Sequence, residues 1–363
     1  MMNRRRSSGV VALVALLFST LLAIRTMSEF GWDPTVFVAF GREQGPTREY
    51  AEERLGDVFL RAAQGHDGKF FFVQANDPWV VDPETNAHVL DRPLYRSQRM
   101  FYPVLASGGG VLGPEAIVWG MLFVNLLAMA VGAWATGGIA SEIGASPWWG
   151  LAFTLNLGFI SELNIGGAGV VAAAAAFAAV LMIMKGRLYW GIGLLTIACL
   201  AREAMLIAAV GTALWLWLTN GRRPALAAAL VPGTAVLGWA AYLRIRIGHG
   251  MVASEVQEIG WPLVGFVEAF ESWLQNPVNL VVGVTMLLMF VLFTRRVLLG
   301  RQLVGWAFLG FVLLGIVFTK QVWESYFDIT RAVAPIITSF VLLVFVGSRQ
   351  GDPAETEQLT TPT

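Results

Sequence analysis

The stretch EAIVWGMLFVNLLAMAVGAWATGG, residues 115–138, carries no charge after Glu115. At about 1.5 Å per residue, an uninterrupted apolar helix of this length crosses a hydrocarbon core about 30 Å thick. Further apolar blocks lie near 9–24, 147–161, 165–184, 188–202, 204–218, 224–243, 277–294, 302–319 and 331–347. Together they predict an all-α, polytopic bundle of about ten transmembrane spans. Several blocks hold only about 15 residues, short of the ~20 that a span needs, so these are expected to tilt, pair or re-enter. Composition agrees. Of 363 residues, 56% are hydrophobic and 14% charged, against about 25% charged in a soluble domain. The 25 basic and 25 acidic residues balance, so no global charge points to nucleic acid as a partner. A single cysteine, Cys199, excludes a disulfide framework within the chain and a Cys/His metal cluster.

Charge placement sets the expected orientation. Arg4, Arg5 and Arg6 precede the first apolar run, and Arg25-Thr26-Met27-Ser28-Glu29 follows it without a small-x-small cleavage signal. This run is read as an uncleaved first span. Lys185 with Arg187, Arg222 with Arg223, Arg295 with Arg296 and Arg301, and Arg349 fall on the same side as the N-terminal arginines. The positive-inside rule makes that side cytoplasmic. The prediction is a multi-pass protein of the plasma (inner) membrane with both termini inside. Residues 1–347 form one membrane-embedded domain, 28–113 a large extracytoplasmic first loop, and 348–363 a disordered cytoplasmic tail. In the loop, Arg48 to Arg61 places Leu55, Val58, Phe59 and Leu60 at near-helical spacing. That predicts an amphipathic helix at the membrane surface, or a solvated helix lying over the spans.

Polar residues concentrate on the predicted outer face. Gly65-His66-Asp67-Gly68-Lys69-Phe70-Phe71-Phe72 sets one carboxylate between two glycines and ahead of three aromatics. Glycines allow a tight turn and close approach of a ligand. A carboxylate held against an apolar wall can serve as a general base. The same pattern also fits a plain Asp-Gly turn beside an aromatic belt. Asn76-Asp77-Pro78-Trp79 reads as a turn. Arg92, Arg96 and Arg99 lie close together among aromatics, which suits bidentate phosphate binding or headgroup snorkelling. Arg202-Glu203 interrupts two apolar runs, and an ionisable pair at membrane depth marks a functional-site candidate. Glu162 and Asn164 sit in a glycine-rich bend, and Asp328-Ile329-Thr330-Arg331 opens the last block. Asp67, Arg96, Arg99, Arg202, Glu203 and Arg331 therefore all map to one face, and an anionic lipid is the substrate such a face suggests.

These segments resemble bacterial integral-membrane glycosyltransferases of the GT-C type. Residues 65–71 are similar to a G-Y-D-G-Q-F-Y pattern, and Asn76-Asp77-Pro78-Trp79 to a D-P-[FW] element. Tyr95-Arg96-Ser97-Gln98-Arg99-Met100-Phe101-Tyr102-Pro103 resembles Y-R-x-Q-R-[IL]-[LF]-Y-P. Ala201-Arg202-Glu203-Ala204 looks like R-E-[TS], and Thr330 to Pro335 like a terminal S-R-x-x-x-P. The resemblance implies an extracytoplasmic transferase using a polyprenyl-phosphate-linked sugar and a glycan, lipid or protein hydroxyl acceptor. It implies Asp67 as the base. Arg202, Arg331 and Arg96 or Arg99 would stabilise the departing phosphate, and Asp77 and Glu203 would orient sugar or arginines. His66, Lys69, Gln98 and Tyr102 would support the site. His66 departs from the pattern's Tyr and Lys69 from its Gln, and a cation near Asp67 favours the carboxylate form.

No cofactor is expected. A divalent cation is left open, without an acidic pair beside Asp67 to support it, and no metal site is assigned. His66, His88 and His249 are too scattered to read as a metal set. No H-E-x-x-H, G-x-S-x-G or D-x-D occurs in the chain. The alternatives are a membrane transporter or lipid flippase, whose binding sites use broken helices, and a catalytically inactive relative.

Overall fold

The computed structural model describes residues 2–61, 64–248 and 259–346. Helix α1 (Met2–Glu29) leads into the first loop, which carries α2 (Pro46–Leu55), α3 (Gly68–Asn76), α4 (Pro83–Val89), α5 (Pro93–Arg96) and α6 (Phe101–Ser107). Then come α7 (Pro114–Glu142), α8 (Leu151–Thr154), α9 (Leu157–Asn164), α10 (Gly169–Met184), α11 (Leu188–Ala201), α12 (Leu206–Thr219) and α13 (Arg222–Ile247). The chain continues through α14 (Val264–Leu274), α15 (Pro277–Gly300), α16 (Leu303–Val317), α17 (Lys320–Trp323), α18 (Tyr326–Ala332) and α19 (Ala334–Val341). Among the described residues the only strands, β1 (Phe40–Gly41) and β2 (Leu60–Arg61), pair in parallel inside the first loop. The all-α expectation holds. The expected tail, 348–363, and His249 lie outside the described residues.

Among the described residues, four helices are long and apolar enough to cross a membrane: Ser7–Glu29 within α1, and α7, α13 and α15. A fifth results if α18 and Ala334–Val344, bent by 69°, count as one span. That is fewer than the ten apolar blocks: α10, α11, α12 and α16 are apolar but hold only 14 to 16 residues, and other blocks are broken. Block 147–161 divides into α8 and α9 at Asn156, whose side chain accepts from the Gly158 N–H and starts a new helix. Blocks 188–202 and 204–218 are α11 and α12, separated at Arg202, whose backbone is extended. The last block bends just before Pro335, which sits in the first turn of α19 where its missing N–H costs no bond.

The core is centred on α10, which is buried on every face from Gly169 to Leu181, as expected of a helix that is apolar all round. It packs between α7 and α11 and reaches α16. Phe177 stacks on Phe308 of α16, ring centroids 4.6 Å apart, and meets Phe153 of α8 edge-on at 5.7 Å. Gly211 on α12 lets α16 approach so closely that a Cβ there would collide with the Trp306 carbonyl oxygen.

The first loop is fastened to this bundle. Phe71 packs edge-on against Tyr102 at 5.2 Å, and Tyr102 donates to the Met121 carbonyl on α7 (3.2 Å). From above, α13 holds the loop: Trp239 donates to the Ser97 carbonyl (2.8 Å) and Arg246 to the carbonyls of Val80 and Val81. The helix expected over Arg48–Arg61 is shorter than its apolar spacing suggested. α2 stops at Gly56, which adopts φ +73°, a conformation that favours glycine. Val58, Phe59 and Leu60 therefore leave the helix. Phe59 packs on Phe30 at 4.8 Å, and Leu60 joins β2.

A methyl group at Gly211 has to push two helices apart, an overpacking cost of about 1–3 kcal/mol. Gly193 on α11 has no neighbour within 4 Å of an added Cβ. Gly211→Ala should lower the melting temperature in detergent, whereas Gly193→Ala should leave it unchanged or raise it slightly through helix propensity.

Candidate functional site

Asp67 lies at the start of α3, in backbone that only glycine permits on either side. Gly65 has φ +69°, and a Cβ on it would strike the Ala39 carbonyl oxygen. A Cβ on Gly68 would strike the carbonyl oxygens of Ile165 and Val38. Gly65 thus seats the turn against the Ala39–Gly41 backbone, and Gly68 seats it against the α9–α10 bend. The Asp67 side chain does not cap α3. It accepts instead from Arg96 Nη1 on Oδ1 (2.8 Å) and from Arg99 Nη1 on Oδ2 (3.2 Å), and remains 30% exposed.

Both of these arginines also hold further partners. Arg96 makes a bidentate pair with Asp91, Nε to Oδ1 at 2.8 Å and Nη2 to Oδ2 at 2.9 Å, while its guanidinium lies 4.0 Å from the centre of the Phe70 ring. Arg99 makes a bidentate pair with Glu203, Nε to Oε2 at 3.0 Å and Nη2 to Oε1 at 2.9 Å, and Nη2 also donates to the Tyr95 hydroxyl at 2.8 Å. Arg202 and Glu203 do not pair with each other. The extended backbone between α11 and α12 sends Glu203 to Arg99 and Arg202 to Glu162.

Glu162 anchors the other half. It is 5% exposed and shared by two guanidiniums: Arg331 Nε at 3.3 Å and Arg202 Nη1 at 3.6 Å from Oε1. Its Oε2 accepts from the Gly169 N–H at 3.0 Å. A Cβ on Gly169 would press on the Glu162 carboxyl (2.7 Å) and Arg202 Nη1 (2.9 Å), so small residues make room for the pair. These contacts are looser than those of Arg96 and Arg99. Arg331 Nε and Nη1 are buried and complete no hydrogen bond among the described residues. A buried guanidinium with unfilled donors is costly in a folded chain unless an acceptor joins it.

Five carboxylates (Asp67, Asp91, Glu162, Glu203 and Asp328, whose Oδ1 lies 3.9 Å from Arg331 Nη1) thus face four guanidiniums (Arg96, Arg99, Arg202, Arg331). Burial alone would raise the Asp67 carboxyl. The fields of Arg99 and Arg96, with Arg331 and Arg202 behind them, prevail and hold it well below the usual carboxylate range. His66 lies against Phe327 with ring centroids 5.3 Å apart, and burial followed by Arg331 lowers its basicity. That favours a neutral imidazole.

The remaining expected residues have other partners. Lys69 donates to the Gln64 carbonyl. Asp77 locks its own loop, accepting from the Val81 and Asp82 N–H groups and from Asn86, so both oxygens are taken up away from the arginines. Gln98 donates its backbone N–H to the Tyr95 carbonyl. Tyr102 is fully buried, bonded to Met121 and Asn125, which ties it to α7. Asp91, Tyr95 and Glu162 belong to the network without having been assigned to it from sequence. Glu162 carried a signal, as the lone acid between Glu142 and Glu203.

Among the described residues no three His, Cys, Asp or Glu side chains are grouped to hold a metal ion. A cavity of about 600 Å³ lies between α2 and α4, and one of about 460 Å³ beside Trp79. Neither is lined by Asp67 or its arginines.

The depressed Asp67 value fixes a pH dependence. Its pairing contributes stability fully above the ordinary value of 3.8, and that stability is lost as pH falls toward the lower folded value. Wild type should melt above Asp67→Asn by a constant margin at neutral and mildly acidic pH. The margin should shrink once pH drops below about 4, as read by thermal scans across a buffer series.

No family model matches the chain, and no curated protein or solved structure matches it either. Its functional reading therefore stands on the chemistry of these side chains.

Proposed function

We propose that the protein is an extracytoplasmic glycosyltransferase that moves a sugar from a polyprenyl-phosphate donor to a hydroxyl acceptor on a glycan, lipid or protein. The observation that carries this reading is the convergence of guanidiniums from three remote parts of the chain on Asp67 and Glu162. Such a constellation suits an anionic leaving group next to a base. The GT-C resemblance of the same segments supports it, with the shorter apolar helices completing a bundle of about ten spans.

The geometry divides the work. Arg96 and Arg99 are engaged by Asp91, Glu203 and Asp67, so they hold the base. Arg331 keeps two buried nitrogens without a hydrogen bond, and Arg202 lies 3.6 Å from Glu162, beyond hydrogen-bond reach, so these two receive the donor phosphate. As the bond from sugar C1 to the phosphate oxygen breaks, the electron pair leaves with the phosphate and the two arginines stabilise it. The acceptor oxygen bonds to C1 and its proton passes to Asp67. A carboxylate held as acidic as Asp67 is a weak base. It is sufficient here because a hydroxyl adding to a cationic sugar carbon becomes strongly acidic as the bond forms. The acceptor reaches Asp67 over its exposed edge.

The 69° bend between α18 and α19 also suits a transporter of the same lipid-phosphate sugar. That reading gives movement of the donor across the bilayer without a new glycosidic bond, which the same assay distinguishes.

The test is transfer from radiolabelled polyprenyl-phosphate mannose, glucose, galactose and arabinose in membranes. Wild type should yield product from one donor. Asp67→Asn, correctly inserted, should lose about 10²–10⁴-fold in rate with little change in donor KM. Arg202→Gln and Arg331→Gln should raise donor KM as well as lower the rate. Undiminished transfer by Asp67→Asn would remove the base from the scheme.

A further inference from the structure

The start of α15 is tied to the level of the Arg331 helix: Asn279 donates to the Glu324 carbonyl (2.9 Å) and accepts from the Tyr326 N–H (3.0 Å). Arg295 and Arg296 lie about 24 Å further along the α15 axis, close to one hydrocarbon thickness away. There they line a cavity of about 320 Å³ with Leu292, Leu299 and Val344. Arg296 is held in place by donating Nε to the Leu343 carbonyl (3.1 Å), in the π-helical turn Leu342–Val346. Leu299 is 71% exposed beside it.

Among the described residues, Arg295 and Arg296 form no ion pair. No acidic residue occurs between Glu271 and Glu324. The Trp215 indole bonds the Arg301 carbonyl (2.8 Å), bringing the end of α12, and Arg222 beyond it, to the same level. At the Asp67 site every arginine meets a carboxylate, whereas among the described residues Arg295 and Arg296 meet none.

We propose that this cavity binds the headgroup phosphate of an anionic phospholipid from the surrounding bilayer. Arg295 and Arg296 grip the phosphate, and the acyl chains lie along Leu292 and Leu299. The arrangement joins two guanidiniums to an apolar wall at an interface, which is the chemistry of an anionic lipid. A zwitterionic lipid brings its own cation into a site that holds two already, so it is disfavoured.

The full chain, purified in neutral detergent, is titrated with phosphatidylglycerol or phosphatidylcholine and followed by native mass spectrometry and thermal unfolding. Phosphatidylglycerol should be retained and should raise the melting temperature more than phosphatidylcholine does. Arg295→Gln/Arg296→Gln should weaken its retention about tenfold or more, while Arg222→Gln/Arg223→Gln, outside the cavity, should leave it near wild type. Arg295→Lys/Arg296→Lys, the milder variant, should fold normally and show an intermediate loss. Equal loss in the Arg222/Arg223 and Arg295/Arg296 variants would overturn the site in favour of diffuse surface charge. Equal effects of the two lipids on wild type would also overturn it. If millimolar inorganic phosphate alone reproduces the stabilisation and displaces phosphatidylglycerol, the ligand is a soluble phosphoryl group and the lipid assignment fails.

Discussion

Desolvated guanidiniums constrain this structure more than any other feature. Arg99, Arg202 and Arg331 are each less than one-fifth exposed, and each would destabilise the fold strongly if left without a counter-charge. The chain solves this by sharing acids. Asp67 serves Arg96 and Arg99, and Glu162 serves Arg202 and Arg331. A salt bridge of this kind is weak evidence for stability, because well-packed apolar residues do as well or better. The four arginines are unequally filled: Arg96 and Arg99 make close hydrogen-bonded pairs, whereas Arg331 keeps two buried nitrogens without a hydrogen bond.

The same constraint accounts for the broken helices. In hydrocarbon every backbone group needs an internal partner, so irregular backbone survives only inside protein or along a cavity. Each break here delivers a charged side chain to the network. The extended residue between α11 and α12 supplies Arg202 and Glu203, the interruption at Asn156 precedes Glu162, and the bent pair α18–α19 supplies Arg331. Gly158, packed beneath the Thr330 carbonyl, locks two of these breaks together. The long helices α7, α13 and α15 remain uninterrupted and carry no member of the site.

Much of this was legible in the sequence, for identifiable reasons. Uncharged blocks read directly as helices, and membrane-scale hydrophobicity fixed the class because few soluble folds tolerate it. The tight turn around Asp67 was readable because glycine on both sides has a definite steric meaning. Arg96, Arg99, Arg202, Glu203 and Arg331 stood out because ionisable residues are conspicuous among apolar ones. What could not be read was pairing. Arg202 and Glu203 are neighbours in sequence yet turn to different partners, since an extended backbone points successive side chains apart. Asp77 lies in a motif-like turn but is consumed by that turn's own N–H groups. The run Val58-Phe59-Leu60 kept helical spacing past a glycine that ends the helix. The short apolar blocks were visible as short, whereas the breaks at Asn156 and before Pro335 were not marked by composition.

The central claim is that donor phosphate seats between Arg202 and Arg331 while Arg96 and Arg99 keep hold of Asp67. A cryo-EM structure of the full chain with a short-chain polyprenyl phosphate addresses it directly. The account predicts phosphate density within hydrogen-bond reach of Arg331 Nε or Nη1 and of Arg202, with both Asp67 pairs intact. Phosphate bound instead to Arg96 or Arg99, with Asp67 displaced, would contradict it.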